Sequence, residues 1–397
     1  MYVLVLGWGN AGQDFGLSAQ ICMDLPSAAM NSLLLPAISN ARASEDNFPG
    51  GNAAASPGWQ QGRWKIAYTS LFYDALGLAP YFDVVWTSAV EPGNPYKNAS
   101  RNNVELQFML SSLGNGPLGI GDGIGKSNRS RIMQAVEADG SLRKALKPLT
   151  PIDAMFGDAS LGVPIGAEIF STVSTFARDT GAATDPHITD WLWWHIVGVN
   201  LTTPFRIGPN DLTPSLQPHI AYVAYKSHSN TGDSRACVDG ANASDCGVTL
   251  FGHGRPPLEL STETPRTEVE LGFGLWRVAP LCEGFSIPTR PGQQVSGYAL
   301  LGETNKYLAV TPQRFVRLQC SGGEGSFFIQ YQGGAFEALS ILLIDARGGM
   351  ANATIVEMKH SLDASGHGAI RCDNGGCAVE RGRGYDSHGE DTLRPTE

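Results

Sequence analysis

The sequence predicts an α/β protein that passes into an all-β one, and three observations predict it. Over the first 150 residues, short apolar runs alternate with longer amphipathic stretches, the pattern of successive βα units on a parallel sheet. Beyond about residue 187 the texture changes to short β-rich runs separated by Gly and Pro, the pattern of an antiparallel β-sandwich. The strand-like runs of the first half carry acidic residues at or near their C-terminal ends, the edge at which parallel α/β folds bind ligands. The 397 residues suffice for two domains, placed at 1–180 and 187–358. Residues 360–397 lack apolar periodicity and read as a mobile tail.

The elements follow in order. The opening "MYVLVLGWGNAGQDF" is apolar but has neither a basic flank nor a small-residue cleavage pattern, so it reads as domain interior rather than signal peptide. "LSAQICM" (17–23) predicts a strand, "PSAAMNSLLLPA" a short helix and "ISNARAS" a second strand. "GRWKIAYTSLFYDALGL" has helical spacing, "YFDVVWT" is strand-like, and "NNVELQFMLSSLG" is a clear helix. "PLGIGD" predicts a fourth strand. "SNRSRIMQAVEADG" predicts a helix capped by Ser127 or Asn128 and stopped by Gly140. The β-half is read from "ITDWLWWHIVGVNL", "HIAYVAYK", "GYALLGE", "SFFIQYQ" and "ALSILLIDA".

Composition narrows the function. A net charge of −10 with 17% charged residues argues against a nucleic-acid backbone binder. No apolar run reaches the length of a bilayer span. Five N-x-S/T sequons, at Asn98, Asn128, Asn200, Asn242 and Asn352, lean towards a secretory route. Among seven cysteines, Cys237 with Cys246 and Cys372 with Cys377 lie close enough in sequence to close short loops, but the odd total and lone Cys22 leave the compartment open, with free buried thiols as the alternative. The eight histidines show no H-x-H or H-x-x-x-H spacing, which leaves no metal site to propose.

Chemistry concentrates in two places. "GNGPLGIGDGIGKSNRS" (114–130) carries six glycines in its first twelve residues and then Lys126-Ser127. A phosphate loop ending at Gly125-Lys126-Ser127 needs glycine at 120, where this chain has Ile120. The triplet Gly114, Gly116, Gly119 has dinucleotide spacing but follows a helix, with Pro117 where the next helix should begin. These glycines therefore read as a place where a strand and its loop approach another backbone or a ligand. The second place is "RASEDN" (42–47), an arginine beside two carboxylates at a strand end. With Asp24 and Asp122 it gives acids at three strand ends, and Asp83 lies inside the fourth strand, a set suited to a polyhydroxylated ligand whose ring could stack on Trp59 or Trp86. Alternatively, such acids are ordinary helix caps and surface ion pairs.

These segments, "QICMDLP", "ARASEDN", "WKIAYTSLFYDALGLAPYFDVVWT", "NGPLGIGDGIGKSN" and "DGSLRKALKPLTPIDAMF", resemble in content and order the glycoside hydrolases of the alpha-galactosidase and raffinose synthase clan. The resemblance implies that residues 1–180 are the C-terminal half of a (β/α)8 barrel followed by a β-sandwich, acting on α-linked oligosaccharides or glycosides by a retaining mechanism without a cofactor. It implies Asp46 as general acid/base in an R-x-S-x-D segment with Arg42 and Ser44. It places Asp83 and Trp86 against substrate and Asp122 at the pocket rim. The retaining nucleophile belongs on an earlier strand than "LSAQICM", so the chain reads as missing that strand and, by itself, as nearly inactive. Asp14 is a poor substitute for it. A second reading is a noncatalytic carbohydrate-binding or scaffold protein using Trp191, Trp193, Trp194 and Trp276. Strict alternation would put Trp191 and Trp193 on one face and Trp194 on the other, which a sandwich core explains equally well.

Overall fold

A computed structural model describes residues 2–22, 26–44, 66–93, 103–159, 168–176, 191–201, 203–229, 232–233, 239–262, 271–283, 296–321 and 326–380. The N-terminal part is a small parallel α/β unit. Helix α1 (Tyr2–Asp14) leads into β1 (Ala19–Ile21), α2 (Pro26–Ser32) and β2 (Ile38–Arg42). Helix α3 (Ile66–Ala75), β3 (Ala79–Tyr81) and α4 (Val104–Leu113) follow. The strands pair in parallel in the order β1-β2-β3. The chain beyond β3 then pairs in parallel with the glycine-rich segment through Val85 and Ile120. Four adjacent parallel segments thus sit where the sequence places four strands, but among the described residues no barrel closes.

The expected third strand is interrupted for a local reason. Asp83 donates its backbone N–H to the Ser44 hydroxyl instead of to a neighbouring carbonyl, at 2.9 Å, so the ladder with β2 stops after Tyr81, and Val85 pairs instead with the segment at Ile120. The expected helix over 127–140 is also shorter. Asn128 caps α5 (Arg129–Ile132) by accepting from the Arg131 N–H, as its position predicts, but the helix ends at Ile132. Beyond it, the Met133 and Val136 carbonyls accept from Lys306, and the Gln134 carbonyl accepts from the Tyr307 N–H. Those carbonyls are held by the distant β-region. Gly140, in a left-handed conformation at φ 86°, turns a tight hairpin instead of ending a helix.

The antiparallel part begins earlier than the sequence texture suggests. Strands β4 (Thr150–Pro151) and β5 (Glu168–Ser174), separated by α6 (Ala154–Ala159), already belong to it. They join β6 (Trp193–Val199), β8 (Tyr222–Ser229), β9 (Gly232–Asp233), β10 (Thr249–Phe251), β12 (Phe273–Glu283), β13 (Gly297–Glu303), β16 (Ala338–Asp345) and β17 (Thr354–Ser361) in one ten-stranded sheet. A two-stranded ribbon pairs β7 (Phe205–Ile207) with β11 (Leu258–Leu260). A four-stranded sheet runs β14 (Phe315–Ser321), β15 (Ser326–Gln332), β18 (His367–Asp373), β19 (Gly376–Glu380). The stretch 367–380, expected within a mobile tail, is therefore a strand pair, pinned across its two strands by the Cys372–Cys377 disulfide. Its low periodicity reflects a two-sided edge hairpin, and residues 381–397 lie outside the described residues.

Of the three cores among the described residues, two explain how the parts hold together, and the third packs around Trp194 and Trp276. One lies between the large sheet and the four-stranded sheet, built from Leu281, Ala299, Ile341, Phe327, Ile329 and Ile370 among others. The other is continuous from the parallel unit into the opposite part of the large sheet. Ile21, Ala41, Val85 and α4's Phe108 and Met109 join Phe170, Val197 and Leu275 in it. Burying α4 on both sides follows from its sequence, since "VELQFMLSSL" is apolar nearly all round and eight of its residues are buried. Among the described residues no helix is long and apolar enough to cross a membrane.

Candidate functional site

The C-terminal edge of the parallel strands brings together three of the residues singled out in the sequence. Arg42, the last residue of β2, is buried, and its guanidinium lies 3.6 Å from the Asp83 carboxylate. Ser44, two residues on, accepts the Asp83 N–H. Neighbouring parallel strands in register make this unavoidable: Arg42 stands opposite Tyr81, so the residues just past both strands meet. Asp83 keeps about a quarter of its side-chain surface exposed, so the pair sits at a surface and not inside the core.

Asp122 lies on the adjacent segment and is engaged differently. One carboxylate oxygen accepts the Thr87 N–H at 2.7 Å and the other accepts the Thr87 hydroxyl. The same hydroxyl accepts the Asn128 N–H at 2.6 Å, which fixes the entry to α5. Asp122 therefore clips the glycine loop to the strand end of Val85–Thr87. Trp86 is 5% exposed, so its ring face is covered. Asp46, with Glu45, Asp24 and Trp59, lies outside the described residues. Asp14 is exposed at the end of α1.

The glycine loop answers to backbone packing. A Cβ on Gly116 would fall 2.2 Å from the Pro80 carbonyl oxygen, and one on Gly121 would meet the Val84 side chain at 3.0 Å. The glycines let this segment lie directly against β3 and its extension, the close approach that its composition predicts. Gly125, at φ 75°, makes the turn before the cap of α5.

Sequence reasoning missed a polar relay that continues from Asp122 into the β-region. Arg131 donates to the Thr87 carbonyl and, at 2.7 Å, to Glu105, whose other oxygen accepts from the Tyr307 hydroxyl at 2.5 Å. Burial, reinforced by the Glu105 charge, pushes the Tyr307 phenol well above its ordinary pKa, so it stays a donor. Nothing local flags these residues, because Glu105 and Tyr307 are 202 positions apart.

A separate cleft of about 960 Å³ opens where α5 meets the β-region, lined by Arg129, Gln134, Asn305, Lys306, Ser340 and Lys359 among others. Arg42, Ser44, Asp83, Trp86 and Asp122 do not line it. The four tryptophans considered as sugar platforms are all buried. Trp191 and Trp193 enter one core while Trp194 and Trp276 enter another, as strand alternation requires. The indole N–H groups of Trp193 and Trp194 are taken by the Leu300 and Pro214 carbonyls. Their role is core packing. Among the described residues no group of three or more His, Cys, Asp or Glu could hold a metal ion.

No protein-family model matches this chain, and neither does any curated protein sequence.

Proposed function

We propose that this chain handles α-linked sugars as part of a retaining glycoside hydrolase or transglycosidase of the alpha-galactosidase and raffinose synthase kind, with Asp46 as general acid/base. The observation that carries the reading is the meeting of Arg42, Ser44 and Asp83 at one edge of parallel strands. A guanidinium donor beside a carboxylate acceptor suits neighbouring sugar hydroxyls, each of which both donates and accepts. In this reading β1, β2, β3 and the Ile120 segment are an arc of a (β/α)8 barrel, whose C-terminal strand edge is the catalytic one.

A retaining mechanism needs a second carboxylate roughly 5 Å from the acid/base. Asp122 has both oxygens engaged by Thr87 and so acts as a positioning group, while Asp83, paired with Arg42 and partly exposed, is assigned to sugar binding and not to attack. Among the described residues neither is free to be that second carboxylate, and the expected behaviour of the chain is sugar binding with little or no turnover. Calorimetric titration with raffinose and with an aryl α-galactoside tests it. Saturable binding, weakened at least about tenfold by Asp83→Ala, is the expected result, a change of about 1.4 kcal/mol. Absence of binding to either sugar, or binding indifferent to both Asp83→Ala and Asp46→Asn, overturns the reading.

A further inference from the structure

Two of the five sequons are brought side by side by the fold, in a region stapled by disulfides. Asn242 and Thr354 face each other in an antiparallel bridge, so the acceptor asparagine of Asn242-Ala-Ser244 stands opposite the hydroxyl residue of Asn352-Ala-Thr354. Backbone bonds on either side hold the two segments together, from the Ala243 N–H to the Ala353 carbonyl at 2.8 Å and from the Ile355 N–H to the Ala241 carbonyl at 2.9 Å. Ala243 and Ala353 point into the core, which turns Asn242 and Asn352 to the surface, and both are exposed.

The local geometry leaves each carboxamide nitrogen presented outward. The Asn242 Oδ1 accepts both the Ser244 N–H at 3.1 Å and the Ser244 hydroxyl at 2.9 Å, a turn that uses the oxygen and spares Nδ2. Asn352 ends a single 3-10 turn, and its Nδ2 makes only a long 3.3 Å contact to the Gly348 carbonyl. The other described sequons differ. Asn200 sits between the buried Val199 and Leu201, and Asn128 is the working cap of α5.

The same region carries the two disulfides found among the described residues. Cys282–Cys320 joins β12 of the large sheet to β14 of the four-stranded sheet, and Cys372–Cys377 closes the final hairpin. Arg347, five residues before Asn352, donates to the Asp373 and Asn374 carbonyls at 2.8 and 2.6 Å, tying the sequon turn to that hairpin. Disulfides of this structural kind form and persist in oxidising compartments, where sequons are also modified.

We propose that the protein matures in the secretory pathway and carries N-linked glycans at Asn242 and Asn352. In the transfer, the asparagine Nδ2 forms a bond to C1 of a polyprenyl-pyrophosphate-linked oligosaccharide. The C1–O bond breaks, its electron pair leaves with the pyrophosphate, and the displaced amide proton passes to the transferring enzyme. The proposal stands apart from the sugar-site reading and does not depend on it.

The test is expression of the full chain through a eukaryotic secretory pathway, followed by glycosidase release in heavy-oxygen water and peptide mapping. The expected result is labelled Asp at both 242 and 352, with Cys282–Cys320 and Cys372–Cys377 recovered as disulfide-linked peptides without reduction. Ser244→Ala is expected to abolish the label at 242, and Thr354→Val at 352, each leaving its asparagine in place. Val suits a strand position, which keeps β17 intact. Unlabelled asparagine at either site in the wild-type protein, or labels that persist in these variants, overturns the proposal.

Discussion

At Gly116 the side chain that is absent decides the packing. Adding one methyl there sets a Cβ 2.2 Å from a backbone oxygen that cannot rotate away. Gly116→Ala is expected to destabilise by about 1–3 kcal/mol in urea unfolding, as overpacking does. Two buried histidines make a second residue-level prediction. Burial, aided by the nearby Arg277 charge, lowers the pKa of both His195 and His228 to about 3. The fold thus favours their neutral forms, while the unfolded chain protonates near the ordinary pKa of about 6.5. Their contribution is fully present above that value and is lost as pH falls towards 3, at about 1.4 kcal/mol per pH unit for each histidine. Urea midpoints measured from pH 7 to 4 should fall accordingly, and His228→Gln should roughly halve this part of the slope. The glycines were legible in the sequence because close approach is written in residue type, whereas Arg42, Asp83 and Asp122 were singled out there by type and place without the groups they meet. His195, beside Trp194, reads from the sequence as a strand histidine with a partner, and it lies in β6 with Nε2 2.9 Å from the Ser174 hydroxyl, whereas nothing at position 228 marks its burial.

Among the elements, the four parallel segments and the helices between them follow from periodicity, whereas their lengths do not. The helix at 129 stops after one turn because Lys306 and Tyr307 hold the carbonyls beyond it, and strand β3 pauses because Ser44 accepts the Asp83 N–H. The disulfides divide in the same way. Cys372–Cys377 could be read from spacing, but Cys282–Cys320 spans 38 positions and depends on two sheets meeting. Cys237, expected to pair with Cys246, lies outside the described residues. By loop-closure entropy, the 38-residue link stabilises by about 4 kcal/mol. The Cys282→Ser, Cys320→Ser double variant should lose close to that in denaturant unfolding. An unchanged midpoint would mean that the sheets are held by packing alone.

Across the whole molecule, a buried charge network joins the two halves. Glu137 and Arg143, from the hairpin after α5, meet Glu303, Arg314 and Glu337 from the β-region. Arg314 reaches Glu137 at 2.6 Å, Glu303 at 2.8 Å and Glu337 at 2.7 Å. Burial raises the pKa of Glu337, but its hydrogen bonds to Arg314 and that charge outweigh the effect and keep it below the ordinary range. Arg314→Ala would leave three carboxylates facing one another with Arg143 and Lys306 as the neighbouring cations. The expected cost is about 3–5 kcal/mol, measured by urea unfolding. The loss should be nearly independent of salt, because buried charges are poorly screened. Both halves should still unfold in one transition, since the core around α4 runs through each.

By itself the sequence determined the order of elements, the change from parallel α/β to antiparallel β, and the glycines' need for close approach, and it singled out Arg42, Ser44 and Asp83 one by one. Each of these depends on residue type and short-range spacing, which a linear chain carries. That the three meet was decided by the pairing of β2 with β3. Tertiary structure alone decided that the parallel unit shares a core with the large β-sheet, that the four tryptophans are packing groups, and that Asp122 is bound to Thr87. It also set the sequons at Asn242 and Asn352 beside each other. Those outcomes depend on which distant surfaces exclude water together, and burial of that kind is fixed by partners far away in the sequence.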